Sequence, residues 1–281
     1  MTLDDSWFSE PYDLTGSAFS LKIKAKLHDE QSQFQHIEIY ETQTYGRLMV
    51  FDGCVMLTSM DNFIYHEMMS HTALQSHANP QDVLIIGGGD CGTLREVLKH
   101  DSVKRCVQVD IDERVTRVTE MFFPELCDSN NDKRAELLFE DGIHYVANCK
   151  AEQFDIVIID STDPVGQAAR LFGREFYSDC QRITRNGGVL VAQSESPLKQ
   201  LDLIKSMSNN MSSAGYSNTH TVEFPQSCYP TGWWSCTLAG KSNDLKELRE
   251  LPLSVATKYY TTDSHRGSLT MRPFMKIALQ D

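Results

Sequence analysis

Three groups of glycine and acidic residues have spacings that suit ligand chemistry. The first is Ile85-Ile86-Gly87-Gly88-Gly89-Asp90-Cys91-Gly92-Thr93, where a short apolar run opens into a G-x-G-x-x-G loop. Glycines there let backbone approach a ligand where any side chain would collide. The second is Val109-Asp110, at the end of another apolar run and 23 residues beyond Gly87. A carboxylate at that offset is placed to accept hydrogen bonds from both hydroxyls of a ribose. Loop and acid together predict a nucleoside-binding crevice; the bland alternative is a tight turn beside a solvated acid. The third group is Asp160-Ser161-Thr162-Asp163-Pro164-Val165-Gly166, which follows the run Phe154–Ile159. Two carboxylates in one short loop fit a metal site, an acid/base pair or a cation pocket, or else merely cap the next helix. Glu140-Asp141-Gly142 ends a further strand and adds another acid at the same edge. Several acids converging on one crevice favour the cation pocket.

Asp90 bears on which nucleoside is bound. Pyrophosphate binds helix N-termini that are free of negative charge. A carboxylate inside the loop repels it and suits a cationic cofactor, such as the sulfonium and ammonium of an S-adenosylmethionine-type molecule. This lowers the standing of an NAD-linked oxidoreductase on the same fold. No His, Cys or Asp group has metal-ligand spacing, since His66 and His71 lie five apart and miss the H-E-x-x-H pattern. No metal is expected.

The elements that must position these residues read as two units. Phe19 to Leu27 alternates apolar with polar, Phe34 to Tyr40 is a second strand candidate, and Arg47–Phe51 with Cys54–Leu57 reads as a hairpin turning on Asp52-Gly53. A helix is predicted from an N-cap at Asp61 to about Gln75. Val83–Ile86, Cys106–Val109, Ile156–Ile159 and Gly188–Ala192 are wholly or largely apolar runs, as parallel strands buried on both faces require. Helix-like segments separate them: Thr93–His100, Glu113–Phe123, Gly142–Cys149, Arg174–Ile183 and Leu198–Ser213. The pattern predicts an α/β fold, a doubly wound sheet behind a small N-terminal antiparallel β domain. Residues 1–75 form the β domain with its linking helix, and 76–281 the Rossmann-like domain. Val222 to Ala239 supplies two late strands at an antiparallel edge.

Composition agrees. The chain has 281 residues with 26 basic against 39 acidic, a formal net charge of −13. That balance disfavours nucleic acid as a partner, because the protein surfaces that bind nucleic acid are basic. No apolar run approaches the ~20 residues of a membrane helix. Met1 to Asp13 is acidic and broken by Pro11, unlike an export or transit signal. The eight cysteines are scattered and read as reduced thiols in a cytoplasmic protein.

One ordered series of motifs is more specific than any of these alone. It comprises Tyr45-Gly46, Asp52-Gly53, Asp61-Asn62-Phe63-Ile64-Tyr65-His66-Glu67-Met68, Val83–Asp90 with Leu94-Arg95-Glu96, Val109-Asp110-Ile111-Asp112, Asp160–Gly166, Tyr229-Pro230-Thr231-Gly232 and Lys258-Tyr259-Tyr260 with His265-Arg266. In this the chain resembles the spermidine synthases, the polyamine aminopropyltransferases, over nearly its full length. The resemblance implies a methyltransferase-like domain behind a small β domain, and no prosthetic group or metal. It implies transfer of an aminopropyl group from decarboxylated S-adenosylmethionine to putrescine, giving spermidine and methylthioadenosine, by a homodimer or homotetramer.

It also implies roles. Gln35 and the Gly87, Gly88, Gly89 loop would contact the nucleoside, Asp110 the ribose and Asp141 the adenine amino group. Asp90 would hold the ammonium of the aminopropyl arm. Tyr65, Asp160, Asp163 and Tyr229 would surround the acceptor amine, with Gln193 and Glu195 near its far end and His66 assisting beside Tyr65. Met56, Asn62 and the Gln226-Ser227-Cys228 segment depart from the common family pattern and bear on the acceptor. Cadaverine, agmatine or spermidine are the other acceptors considered, and a non-catalytic polyamine-binding relative is the rival to an enzyme. Trp233 and Trp234 fit either an acceptor channel or strand packing.

Overall fold

The computed structural model describes residues 3–12, 16–164, 166 and 168–280. Val165 of the acidic loop, and Met1 and Asp13 at the ends of the amino-terminal stretch, lie outside them. Among the described residues, β1 (Trp7–Tyr12), β2 (Ser17–Gln31), β3 (His36–Thr42), β4 (Arg47–Phe51) and β5 (Cys54–Thr58) form an antiparallel sheet in sequential order. Val50 pairs with Val55 and Phe51 with Cys54, so Asp52-Gly53 is a two-residue turn. Both turn residues have positive φ, 48° and 84°, the backbone that matches strand twist in a tight hairpin.

The second sheet has the order β11-β12-β10-β9-β6-β7-β8. It comprises β6 (Asp82–Gly87), β7 (Arg105–Asp110), β8 (Ala135–Phe139), β9 (Phe154–Asp160), β10 (Thr184–Gln193), β11 (Asn218–Pro225) and β12 (Trp233–Gly240). The first five are parallel and β12 joins antiparallel to both β10 and β11. The doubly wound sheet, the β domain before it and the late antiparallel edge are therefore present as expected. Chain order reverses between β6 and β9, which places a crevice at their carboxyl ends.

The helices α1 (Asn62–Gln75), α2 (Gly92–Leu98), α3 (Glu113–Phe122), α4 (Gly142–Asn148), α5 (Arg174–Ile183) and α6 (Leu201–Ser213) cover the sheet. α1 is buried around nearly its whole circumference, which explains its lack of an amphipathic stripe. Its apolar side chains share a core with Val83, Ile85, Ile156 and Ile158. The small sheet docks on α3, where Ile37, Ile39 and Met49 pack against Val115, Val118 and Phe123. That contact hangs the β domain over the crevice.

Some expectations needed correction. Asp61 occupies the N-cap position of α1 but makes no capping bond. Its carboxylate accepts instead from the Thr58 and Ser227 hydroxyls, each at 2.6 Å, and from the Cys228 N–H at 3.1 Å. It thereby ties the segment before Tyr229 to the start of α1. β1 was not anticipated, because Pro11 reads as a breaker; at the sheet edge a proline costs no ladder bond. The short helices α7 (Thr262–Ser268) and α8 (Pro273–Gln280) were also missed. The pairs Tyr259-Tyr260 and His265-Arg266 read as structural or interfacial, and the buried Tyr260 hydroxyl meets His265 Nδ1 at 2.9 Å.

Candidate active site

The crevice holds a cavity of about 520 Å³. Its floor is the glycine loop. Gly87 has φ +83°, and a Cβ there would fall 2.1 Å from the Asp160 carbonyl oxygen. The Gly88 N–H donates to that same oxygen at 2.8 Å. Only glycine lets β6 and β9 close together at this point, and the closure brings Asp160 beside the loop. Gln35, Gly87–Gly89, Asp90, Asp110, Asp141, Asp160, Tyr65 and Tyr229 all line this one cavity.

Each acid is held by identifiable partners. Asp160 accepts from the Tyr65 hydroxyl at 2.7 Å and the Thr93 hydroxyl at 2.6 Å. Burial, and then the charge of Asp90, raise its pKa. Burial also carries the Tyr65 phenol well above its ordinary value, so Tyr65 donates and does not act as a base. Asp90 accepts from the Gly92 N–H at 2.7 Å and faces His66 Nε2 at 3.3 Å. Burial pushes its carboxyl up, but the His66 charge and hydrogen bonds outweigh burial and leave it below the ordinary value. Asp141 caps α4 through the Ile143 N–H at 2.8 Å while still bordering the cavity.

Asp110 is the least satisfied of the set. Burial lifts its pKa to about 6, opposed by N–H groups of Asp112 and Gly89. A ribose that needs the ionised carboxylate should therefore bind more weakly below about pH 6. Folding stability responds in the opposite sense: a carboxyl raised from 3.8 to about 6 makes the fold more stable as pH falls through that window. Calorimetric titration of methylthioadenosine from about pH 5 to about pH 8 tests the first statement. An affinity that is flat across that range contradicts it.

A second, smaller cavity of about 50 Å³ adjoins the first. Met56, Tyr65, Ser161, Thr162 and Tyr229 line both, forming a neck beside Asp160. Asp163 and Gln193 line the far chamber, with Glu10 and Trp234. Glu195 sits behind it, where Gln193 Oε1 accepts from its N–H at 3.1 Å and Gln193 Nε2 reaches its carboxyl at 3.4 Å. Burial, then the charge of Asp163, push Glu195 up to about 9. At neutral pH that burial and the Asp163 charge favour the protonated form of Glu195.

One placement differs from the sequence reading, and the two tryptophans divide between the alternatives it left open. His66 lines neither cavity; its ring is buried behind Asp90, in space that a Cβ on Gly92 would invade at 2.2 Å. It reaches the crevice only through Asp90. Of the tryptophans, Trp234 lines the smaller chamber and packs on Tyr229 at 4.7 Å between ring centroids, whereas Trp233 packs on Phe274. Glu10, Thr93 and Asp112 were missed. Glu10 carries no local motif, and Thr93 and Asp112 were noticed only as the ends of Ile85–Thr93 and Val109–Asp112.

Comparison with known proteins settles the family. Residues 62–248 match the spermine/spermidine synthase domain and residues 6–59 the spermidine synthase tetramerisation domain. The chain belongs to the spermine/spermidine synthase family. Polyamine aminopropyltransferases of Xanthomonas campestris pv. campestris (strain B100) and Xanthomonas oryzae pv. oryzae (strain PXO99A) are each 54% identical, with 99% of both chains covered. A spermidine synthase solved in complex with the transition state analogue AdoDATO is 34% identical, with a TM-score of 0.94 over 100% of this chain and 97% of that one. Spermidine synthase from Thermotoga maritima is 34% identical, with a TM-score of 0.91 over 98% and 94%. As a member of the polyamine aminopropyltransferases the protein is an enzyme, a transferase. No helix among the described residues is long and apolar enough to cross a membrane.

Proposed function

We propose that this protein transfers the aminopropyl group of decarboxylated S-adenosylmethionine to putrescine, releasing spermidine and methylthioadenosine. The observation that carries this reading is the pair of cavities sharing one neck at Asp160. The larger is of nucleoside size and the smaller is narrow and acidic. In this reading the sulfonium lies over the glycine loop, with Asp110 on the ribose, Gln35 beside it and Asp141 at the adenine amino group. Asp90 holds the ammonium of the transferred arm.

The acceptor enters as a dication. Freeing one amine of pKa ~10.4 costs about 4.6 kcal/mol at pH 7. The site divides the work. Asp163, with Glu195 and Gln193 behind it, keeps the distal ammonium charged. Asp160 takes the proton from the attacking nitrogen and aims the lone pair, while Tyr65 holds the carboxylate in place and Tyr229 walls the neck. Carbon–nitrogen bond formation then expels the neutral thioether. Alignment of amine, methylene and sulfur supplies much of the remaining acceleration.

Replacing Asp163 by Asn is expected to raise acceptor KM about 10- to 100-fold with a small change in kcat. The loss is limited because removing the Asp163 charge lowers the cost of ionising Glu195, which then partly substitutes. An unchanged KM refutes the anchor role. The acceptor is tested by kcat/KM for putrescine against cadaverine, agmatine and spermidine. Preference for putrescine supports the reading, and preference for a longer amine overturns the acceptor but not the chemistry.

The proposed division is a β unit with linking helix over 1–75 and a catalytic platform over 76–281, in a cytoplasmic homodimer or homotetramer assembled through the N-terminal sheet. The match of residues 6–59 to a tetramerisation domain supports the assembly.

A further inference from the structure

The tip of the β2–β3 hairpin reaches across to the carboxyl end of β7. Gln33, Phe34 and Gln35 at this tip line the larger cavity. The turn is closed on itself, with Ser32 Oγ accepting from the N–H groups of Phe34 and Gln35, each at 3.0 Å. It is then fastened to a residue far along the chain. Asp112 Oδ2 accepts from the Ser32 hydroxyl at 2.6 Å and from Gln35 Nε2 at 3.0 Å. Its other oxygen accepts from the Arg114 N–H at 3.0 Å and caps α3. Its own N–H donates to Asp110 Oδ1 at 2.8 Å. Asp112 is only 2% exposed.

These contacts make one carboxylate the junction of three parts: the hairpin tip, the ribose-binding Asp110 and the start of α3. A carboxylate oxygen that accepts cannot also donate, so Gln35 must present its amide nitrogen to Asp112. That fixes which way the amide faces, and leaves Oε1 and the second N–H for a ligand. We propose that Asp112 is a positioning residue, a latch that holds the Ser32–Gln35 tip over the nucleoside chamber and sets the Gln35 amide for binding. The inference rests on the nucleoside reading above.

Asp112→Asn tests it with little risk to the fold. Asparagine keeps the oxygen that caps α3 and is itself a favourable N-cap, but its amide nitrogen cannot accept from Ser32 or from Gln35 Nε2. Methylthioadenosine affinity, measured by titration calorimetry, is expected to weaken about tenfold. KM for decarboxylated S-adenosylmethionine should rise while kcat at saturation holds. Gln35→Ala should weaken binding similarly, and the double variant should be no worse than the poorer single one, because both act through one contact. Ser32→Ala removes the tip side of the latch without touching α3, and should weaken binding in the same direction. A melting temperature lowered in Asp112→Asn with affinity unchanged, or effects that add in the double variant, overturns the latch. Wild-type protein that binds no methylthioadenosine overturns the nucleoside reading and the latch with it.

Discussion

Asp160→Asn is expected to lower kcat by about 10²- to 10⁴-fold, with acceptor KM changed only a few-fold. Asparagine fits the same space and its oxygen still accepts from Tyr65, so the fold and the neck should survive. What disappears, on the proposed mechanism, is the group that receives the amine proton. Asp160 is suited to that task because burial and the neighbouring Asp90 charge raise its proton affinity. Removing the distal ammonium's anchor loosens the acceptor, but removing Asp160 leaves a bound amine with its lone pair still masked. Steady-state kinetics on the folded variant distinguish the two. A kcat near that of wild type refutes the base assignment.

The second large effect belongs to Asp90. Asp90→Asn is expected to reduce kcat/KM for decarboxylated S-adenosylmethionine by about 10²-fold, the scale of deleting one partner of a buried charge pair. The amide oxygen still accepts from the Gly92 N–H, so the loop keeps its shape. The same carboxylate is expected to discriminate between cofactors. Ordinary S-adenosylmethionine carries a carboxylate on the same arm, and Asp90 in the glycine loop would repel it. Wild-type protein should therefore bind the decarboxylated form far more tightly, and Asp90→Asn should narrow the gap. Equal affinity of the wild type for both cofactors, measured by calorimetry, contradicts this role. His66 is coupled to the outcome. Burial alone would keep its ring neutral, and the Asp90 carboxylate is what raises its pKa. In Asp90→Asn the imidazole should titrate at lower pH, which NMR of its ring protons would follow.

Much of this site was legible because it is built from local transitions. Gly87 to Gly92 is a strand turning into a helix, and the chemistry of such a turn is written in six consecutive residues. Asp110 and Asp160 close strands whose apolar runs mark their ends. What escaped notice depends on distant segments meeting. Glu10 reaches the smaller chamber from an edge strand that holds Pro11. Thr93 looks like an ordinary first-turn residue until β9 delivers Asp160 to its hydroxyl. His66 follows Tyr65 directly, yet a helix turns successive side chains by about 100°. Tyr65 therefore lines the crevice while His66 sits behind Asp90. Asp61 shows the same limit. Its position predicts a helix cap, but the segment around Ser227 arrives and claims its carboxylate.

The most direct test of the central claim is a product assay. Wild-type protein and Asp160→Asn are each incubated with decarboxylated S-adenosylmethionine and putrescine, and spermidine and methylthioadenosine are quantified by mass spectrometry. The two-chamber arrangement predicts equal amounts of both products from the wild type, formed at least about 10²-fold faster than by the variant. No spermidine from the wild type, or equal rates from both proteins, would contradict it.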